Sequence, residues 1–198
     1  MIYIVRHGQT AWNLQSRKQG RKDSPLTLKG IEQAKGVAKI LNNWIKDHNK
    51  FKVVVSPQWR CQQFASIICE LTGFKFSECI FEENLREHCF GLWEGKTEEE
   101  IETAFPGFLA KRYDAENHWS YIVPMGESYE LLYSRVGKVL DKYKQQDVVF
   151  ICHEMVSKVM RGALSNLRPE EILTLSHNQD FIYKFDGELE ALQVGYER

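Results

Sequence analysis

The sequence predicts an α/β fold, a three-layer α/β/α sandwich with a mainly parallel central sheet. Short apolar runs rich in β-branched residues occur at 2–5, 53–55 and 148–152, and segments with helical spacing separate them. The connections between these runs are long enough for crossover helices, which parallel strands require. Each run is apolar throughout rather than alternating, as expected of strands covered on both faces.

Residues 2–5 stop at Arg6-His7-Gly8, where glycine lets the backbone turn, so they read as a strand followed by a loop. After the polar stretch 15–24, Pro25 and Thr27 precede Ile31, Ala34, Val37, Ala38, Leu41 and Ile45, which share one face of a long amphipathic helix. The second strand, 53–55, ends at Ser56-Pro57; Phe64, Ile67, Ile68 and Leu71 form the next helical stripe, which Gly73 closes. The middle, 78–126, is less regular. It holds a candidate strand at 79–81, an acidic helix start at 97–100 and breaks at Pro106-Gly107 and Pro124. Residues from about 96 to 126 read as an insertion or lid beside the site.

Helical spacing returns over 127–143 through Leu131, Leu132, Val136, Val139 and Leu140. The run 148–152 is the most fully apolar strand, and Val156, Val159, Met160 and Leu164 mark another helix. The runs 181–185 and 189–194, parted by Asp186-Gly187, read as a closing hairpin. There is no internal repeat, and 198 residues suit a single domain spanning 1–198.

Composition narrows the function classes. With 43% hydrophobic residues and a formal net charge of −1, the chain can enclose a core but has no excess basic field for nucleic acid. The five cysteines, Cys61, Cys69, Cys79, Cys89 and Cys152, have no close pairing pattern and read as reduced thiols. The N-terminus shows no basic leader or cleavage signal, and no apolar window is long enough for a membrane span. The expectation is a cytoplasmic protein with neither nucleic-acid nor membrane partners. The edge of the closing hairpin makes a homodimer conceivable.

In open α/β sheets, ligands bind beyond the carboxyl ends of the strands. Val5 is followed by Arg6 and His7, Val55 by Ser56 and then Arg60, and Cys152 by His153. Adjacent parallel strands would bring two histidines and two arginines to one edge. Guanidinium groups bond phosphate oxygens in pairs, and an imidazole can act as nucleophile or donor. Taken alone, each signal is weak: a histidine at a strand end is more often structural, and an isolated arginine near a helix start is more often solvated. The joint placement is what points to a phosphate.

The chain resembles the histidine phosphatase superfamily, in its phosphoglycerate mutase-like branch. The resemblance rests on Val5-Arg6-His7-Gly8-Gln9-Thr10-Ala11-Trp12-Asn13, Pro25-Leu26-Thr27-Leu28-Lys29-Gly30, Ser56-Pro57 with Arg60, Leu85-Arg86-Glu87 with Phe90-Gly91-Leu92-Trp93-Glu94-Gly95, Gly126-Glu127-Ser128, and His153. It implies that His7 is the nucleophile and Glu87 the general acid. Arg6, Asn13, Arg60 and His153 would bind the phosphate, and Gln19 and Gly20 would border the substrate. It further implies a small phosphorylated metabolite as substrate, a phosphohistidine intermediate, and neither metal nor cofactor. Arg21, Lys22, Lys111 and Arg112 are weaker candidates for a second anionic group, and the aromatics Phe105, Phe108, Tyr113, Trp119 and Tyr121 are read either as substrate-selecting or as packing.

Two departures matter. Mutases of this branch carry Glu-Arg-His-Tyr-Gly at the acid segment, whereas this chain has Glu87-His88-Cys89-Phe90-Gly91. That favours phosphatase over cofactor-dependent phosphoglycerate mutase. Glu154 stands where many relatives have glycine, and its side chain is expected to point away from the phosphate. Rival chemistries fit less well. Ser157 breaks a zinc pattern beginning at His153-Glu154, and none of the cysteines is followed by the arginine a cysteine phosphatase needs. A non-catalytic phospho-ligand binder remains the non-enzyme alternative.

Overall fold

The computed structural model describes residues 1–114, 116 and 118–195. Ala115 and Asn117 of the expected insertion and 196–198 of the expected domain lie outside the described residues. The chain runs β1 (Ile2–Arg6), α1 (Ala11–Leu14), α2 (Leu28–Trp44), β2 (Phe51–Val55), α3 (Trp59–Leu71), β3 (Ile80–Phe81), α4 (Glu98–Ala104), α5 (Phe108–Tyr113), α6 (Tyr129–Tyr143), β4 (Asp147–Cys152), α7 (Glu154–Leu164), α8 (Pro169–Thr174), β5 (Phe181–Phe185) and β6 (Leu189–Gln193).

The strands form one six-stranded sheet in the order β3-β2-β4-β1-β5-β6. The β1, β2, β3 and β4 pairings are parallel, while β5 and β6 add an antiparallel hairpin beside β1. Side-chain alternation sorts the core into two halves. Tyr3, Val5, Val53, Val55, Val149 and Ile151 face α2 and α3, where they meet Ala34, Val37, Leu41, Phe64 and Ile68. Ile2, Ile4, Val54, Val148, Phe150 and Cys152 face the other way, toward Leu132, Val136 and Val139 of α6 and Val156 and Val159 of α7. The predicted three layers follow from this two-sided burial.

Register sets up the site. Ile151 of β4 lies between Val5 and Val55, so β1, β2 and β4 end together. The main chain continues the ladder past the strands: His7 N–H donates to Cys152 O at 3.0 Å and Ser56 N–H to Ile151 O at 2.9 Å. The loop after β1 then packs on the first turn of α2. A Cβ at Gly8 would lie 2.4 Å from Gly30 O, so this close approach needs glycine. Thr27 caps α2 through Gly30 N–H at 3.1 Å, and its own N–H donates to Gln9 O at 2.9 Å.

Three helices escape the periodicity reading. α1 is a single turn held by a reciprocal Thr10/Asn13 capping box, α5 is a six-residue helix after Gly107, and α8 is a six-residue helix with Pro169 in its first turn. None is long enough to show an apolar stripe. The insertion builds α4 and α5 around a third cluster, where Phe105, Phe108 and Tyr121 pack against Phe90, Trp93, Ile101 and Val123. Trp119 stacks on Tyr129, and Tyr113 donates its hydroxyl to Glu98. These five aromatics therefore belong to packing.

Candidate active site

A cavity of about 140 Å³ opens at the carboxyl edge of the sheet, lined by Arg6, His7, Asn13, Arg17, Lys18, Gln19, Gly20, Arg60, Glu87, Phe90, Glu154 and Met155. The ends of β1 and β2 deliver Arg6, His7 and, at the second residue of α3, Arg60. Every residue expected to act on phosphate lines this cavity except His153, whose ring packs edge-on against that of His7 with centroids 5.2 Å apart.

The hydrogen bonds fix the protonation pattern of His7. Nδ1 is 2.7 Å from Gly8 O, an acceptor only, so Nδ1 carries the proton. Arg60 Nε–H donates to Nε2 at 3.2 Å, so that nitrogen is unprotonated and its lone pair is engaged by Arg60. Burial, followed by Arg60 and Arg6, pushes the His7 pKa well below the usual imidazole range. A neutral, correctly tautomeric imidazole therefore faces the space a phosphorus atom would enter.

Arg60 is fully buried and held on several sides, with Nη1 donating to Lys22 O at 2.7 Å and to Asp23 Oδ1 at 2.7 Å, and Nη2 donating to Gly20 O at 2.9 Å. The turn carrying Gln19 and Gly20 thus serves to position Arg60 as well as to line the cavity. Asn13 Oδ1 accepts from Thr10 N–H and Gln179 Nε2 at 3.0 Å each, which leaves its Nδ2 as the donor for an anion. His153 is buried with Nε2 2.7 Å from Ser56 Oγ, and its pKa is lowered by burial, then by Arg60 and His7.

Glu87 sits on the opposite wall. His88 N–H donates to its Oε1 at 2.9 Å and Met155 N–H, in the first turn of α7, to its Oε2 at 3.3 Å. Burial raises the Glu87 pKa despite these bonds and Arg60, so the carboxyl stays protonated above the usual carboxylate range. Arg135 clamps the backbone beneath it, donating to Asn84 O at 2.6 Å and Glu87 O at 3.1 Å while paired with Glu127 at 2.6 Å. Glu94 has a structural role, accepting from Arg21 N–H at 2.9 Å and Phe90 N–H at 3.1 Å.

Two expectations need correction. Besides Arg6 and Arg60, the cations lining the cavity are Arg17 and Lys18, not Arg21, Lys22, Lys111 or Arg112. Arg21 lies 3.6 Å from Glu127, Lys22 Nζ donates to Glu94 O, Lys111 lies over Phe108, and Arg112 is buried among Phe90, Trp93 and Tyr129. Arg17 and Lys18 fall in a polar stretch without periodicity, so nothing local marked them. Glu154 does not point away either: it lines the cavity with Oε2 2.9 Å from Arg6 Nη2. Among the described residues no three His, Cys, Asp or Glu side chains are grouped to hold a metal ion, and no helix is long and apolar enough to cross a membrane.

The buried histidines make stability pH-dependent. The pKa values of His7, His88 and His153 lie well below 6.5, and that of His177 is lowered to about 3, chiefly by burial in each case. Their stabilising contribution is fully present above pH 6.5 and is lost as pH falls toward the folded values, because the unfolded chain takes up the protons first. Glu87 has the opposite sign: its raised value contributes below about pH 4.5 and is lost as pH rises through the folded value. Each histidine adds up to about 1.4 kcal/mol per pH unit in that window. Denaturant midpoints should therefore fall between pH 7.5 and 5.5. His88→Phe, which removes two buried ring nitrogens without a protein partner, should flatten that fall by one proton's worth; an unchanged slope would contradict this account.

The family model described as histidine phosphatase superfamily (branch 1) matches residues 2–193. Phosphoglycerate mutase-like protein 4 of Arabidopsis thaliana is 31% identical over 98% of this chain and 83% of its own length. A probable phosphoglycerate mutase GpmB of Enterobacter sp. (strain 638) is 34% identical over 70% of this chain, a match that spans 60% of that relative's length. Among solved structures, a putative alpha-ribazole-5'-P phosphatase of Escherichia coli superimposes with a TM-score of 0.81 at 21% identity, covering 99% of this chain and 98% of the other. Bacillus stearothermophilus YhfR does so at 0.76 and 25% identity, covering 100% and 97%.

Proposed function

Because this chain belongs to the histidine phosphatase superfamily (branch 1), we propose that it hydrolyses the phosphomonoester of a small metabolite through a phosphohistidine at His7, without a metal. One observation carries the reading. In a buried, neutral His7 that lines the cavity beside Arg60, Nε2 is unprotonated and accepts from the Nε–H of that arginine.

As substrate enters, Arg60 transfers that bond from His7 to a phosphoryl oxygen, freeing the lone pair to attack phosphorus. The N–P bond forms as the ester P–O bond breaks, and Glu87 gives its proton to the departing alcohol oxygen. Arg6, Arg60 and Asn13 stabilise the charge spread over the transferring group, with His153 packed against His7. In the second half, Glu87 as carboxylate takes a proton from water. The hydroxide oxygen attacks phosphorus, the N–P bond breaks, and orthophosphate leaves.

The names of relatives divide between mutase and phosphatase. The acid segment weights this chain toward phosphatase, since it lacks the arginine and tyrosine seen in mutases there and has His88 and Phe90 in their places. The reading includes a single domain spanning 1–198, cytoplasmic work, and a lid at about 96–126.

A panel of phosphomonoesters, including sugar phosphates, phosphoglycerates and nucleotides, should release orthophosphate with EDTA present. Folded protein that hydrolyses none of them overturns the hydrolase reading. Interconversion of 2- and 3-phosphoglycerate dependent on a bisphosphoglycerate primer would identify a mutase instead, and ester binding without turnover a phospho-ligand binder.

A further inference from the structure

The cations of the cavity are not equivalent. Arg60 pairs with Asp23 at 2.7 Å, Arg17 with Glu100, and Lys18 with Glu98 at 2.8 Å. Those three carboxylates lie outside the cavity lining and hold their cations from the rear. Arg6 is different. Its Nη1 donates to His177 O, its Nε is buried without a protein partner, and its Nη2 meets Glu154 Oε2 at 2.9 Å. Glu154 itself lines the cavity, so its carboxylate sits on the side from which a phosphoryl group must reach Arg6.

A phosphate oxygen and a carboxylate oxygen ask the same thing of a guanidinium. A dianion that binds Arg6 must either displace Glu154 or lie beside it with like charge, and both lower its affinity. An acidic residue in the first turn of a helix is ordinarily a favourable partner for the helix dipole. Glu154 is in that position on α7, but a dipole role alone would not require its carboxylate to be aimed at Arg6 across the cavity mouth.

We propose that Glu154 is a built-in competitor for the phosphate subsite, occupying Arg6 until a phosphoryl group displaces it and so setting a weak hold on ester and orthophosphate. This rests on the phosphatase reading above. The consequence is fast release of product and a high KM, so that turnover rises with substrate over a wide concentration range. Glu154 is a specificity-determining residue in this account: it discriminates against groups whose only claim on the site is negative charge.

Orthophosphate binding, measured by calorimetry and by competitive inhibition of phosphatase activity, tests the proposal. Glu154→Gln and Glu154→Ala should both bind orthophosphate roughly tenfold more tightly than the parent, with a matching fall in KM. Adding Arg6→Ala should erase the gain, because nothing is then left to compete for. Unchanged or weaker phosphate binding in folded Glu154 variants overturns the proposal, as does loss of kcat with KM unaltered, which would give Glu154 a part in the chemistry. If the parent hydrolyses esters and binds orthophosphate but the variants bind no tighter, only this inference fails. If neither the parent nor the variants bind phosphate or hydrolyse any ester, the phosphatase reading fails and this inference with it.

Discussion

Replacing His7 with alanine is expected to lower kcat/KM for every phosphomonoester substrate by at least about 10⁴-fold, a loss of roughly 5.5 kcal/mol of transition-state stabilisation. The size follows from the geometry. His7 Nε2 is the unprotonated nitrogen, its lone pair held by Arg60 until substrate takes over that bond, and the ring is neutral because burial and two arginines disfavour its protonation. Without it the phosphoryl group has no covalent acceptor, and the remaining cations can only bind the ester. Binding should therefore survive better than turnover. The variant also leaves Arg60 Nε without its acceptor, so folding must be checked by thermal melting before the rates are compared. Rapid acid quench of the parent with labelled ester should trap acid-labile phosphoprotein, and the variant should trap none. Activity persisting in the folded alanine variant above about one per cent, far more than the 10⁻⁴ expected, would place the nucleophile elsewhere.

Glu87→Gln is the second large effect, an expected fall in kcat of about 10²- to 10⁴-fold on alkyl phosphates. Glutamine keeps the shape of the protonated carboxyl and can still accept from a backbone amide, as Glu87 does from His88 N–H at 2.9 Å. It cannot donate the transferable proton. An aryl ester such as p-nitrophenyl phosphate leaves without protonation, so its phosphoryl-transfer step should lose far less, and that contrast separates a general acid from a structural glutamate. An equal loss on both ester types would remove Glu87 from the acid role. Burial raises the Glu87 pKa, so the protonated acid persists above the ordinary carboxylate range and the transfer step should weaken as pH rises through that raised value. Glutamine offers one oxygen to the two backbone N–H groups that Glu87 receives, from His88 and Met155, so folding must be checked by thermal melting before the rates are compared.

The legible part of the site is the part that sits at the ends of regular elements. Arg6 and His7 follow β1, Arg60 begins α3 after β2, and His153 follows β4, so the apolar runs that announce the strands also announce the residues just past them. Glu87 was legible only through its family motif, because the segment around it is built from 3-10 turns without a repeating pattern. What holds it there, Arg135 paired with Glu127, comes from a different helix and left no local mark. Arg112 shows the same limit from the other side. Its neighbours in sequence suggest a solvated basic pair, whereas the fold closes Phe90, Trp93 and Tyr129 around it.

The sequence by itself determined the three layers, the two-sided burial of the sheet, and the placing of two histidines and two arginines just past strand ends. These follow from uniformly apolar runs and from helical spacing of about 3.6 residues, which are short-range properties of the chain. Tertiary structure alone decided that β2, β4 and β1 lie side by side in register, that Arg17 and Lys18 join Arg6 and Arg60 in lining the cavity, and that the His7 proton sits on Nδ1. It also decided that Glu154 turns toward Arg6. Each of these depends on groups far apart in the chain meeting at hydrogen-bond distance, and no local pattern encodes the packing that brings them together.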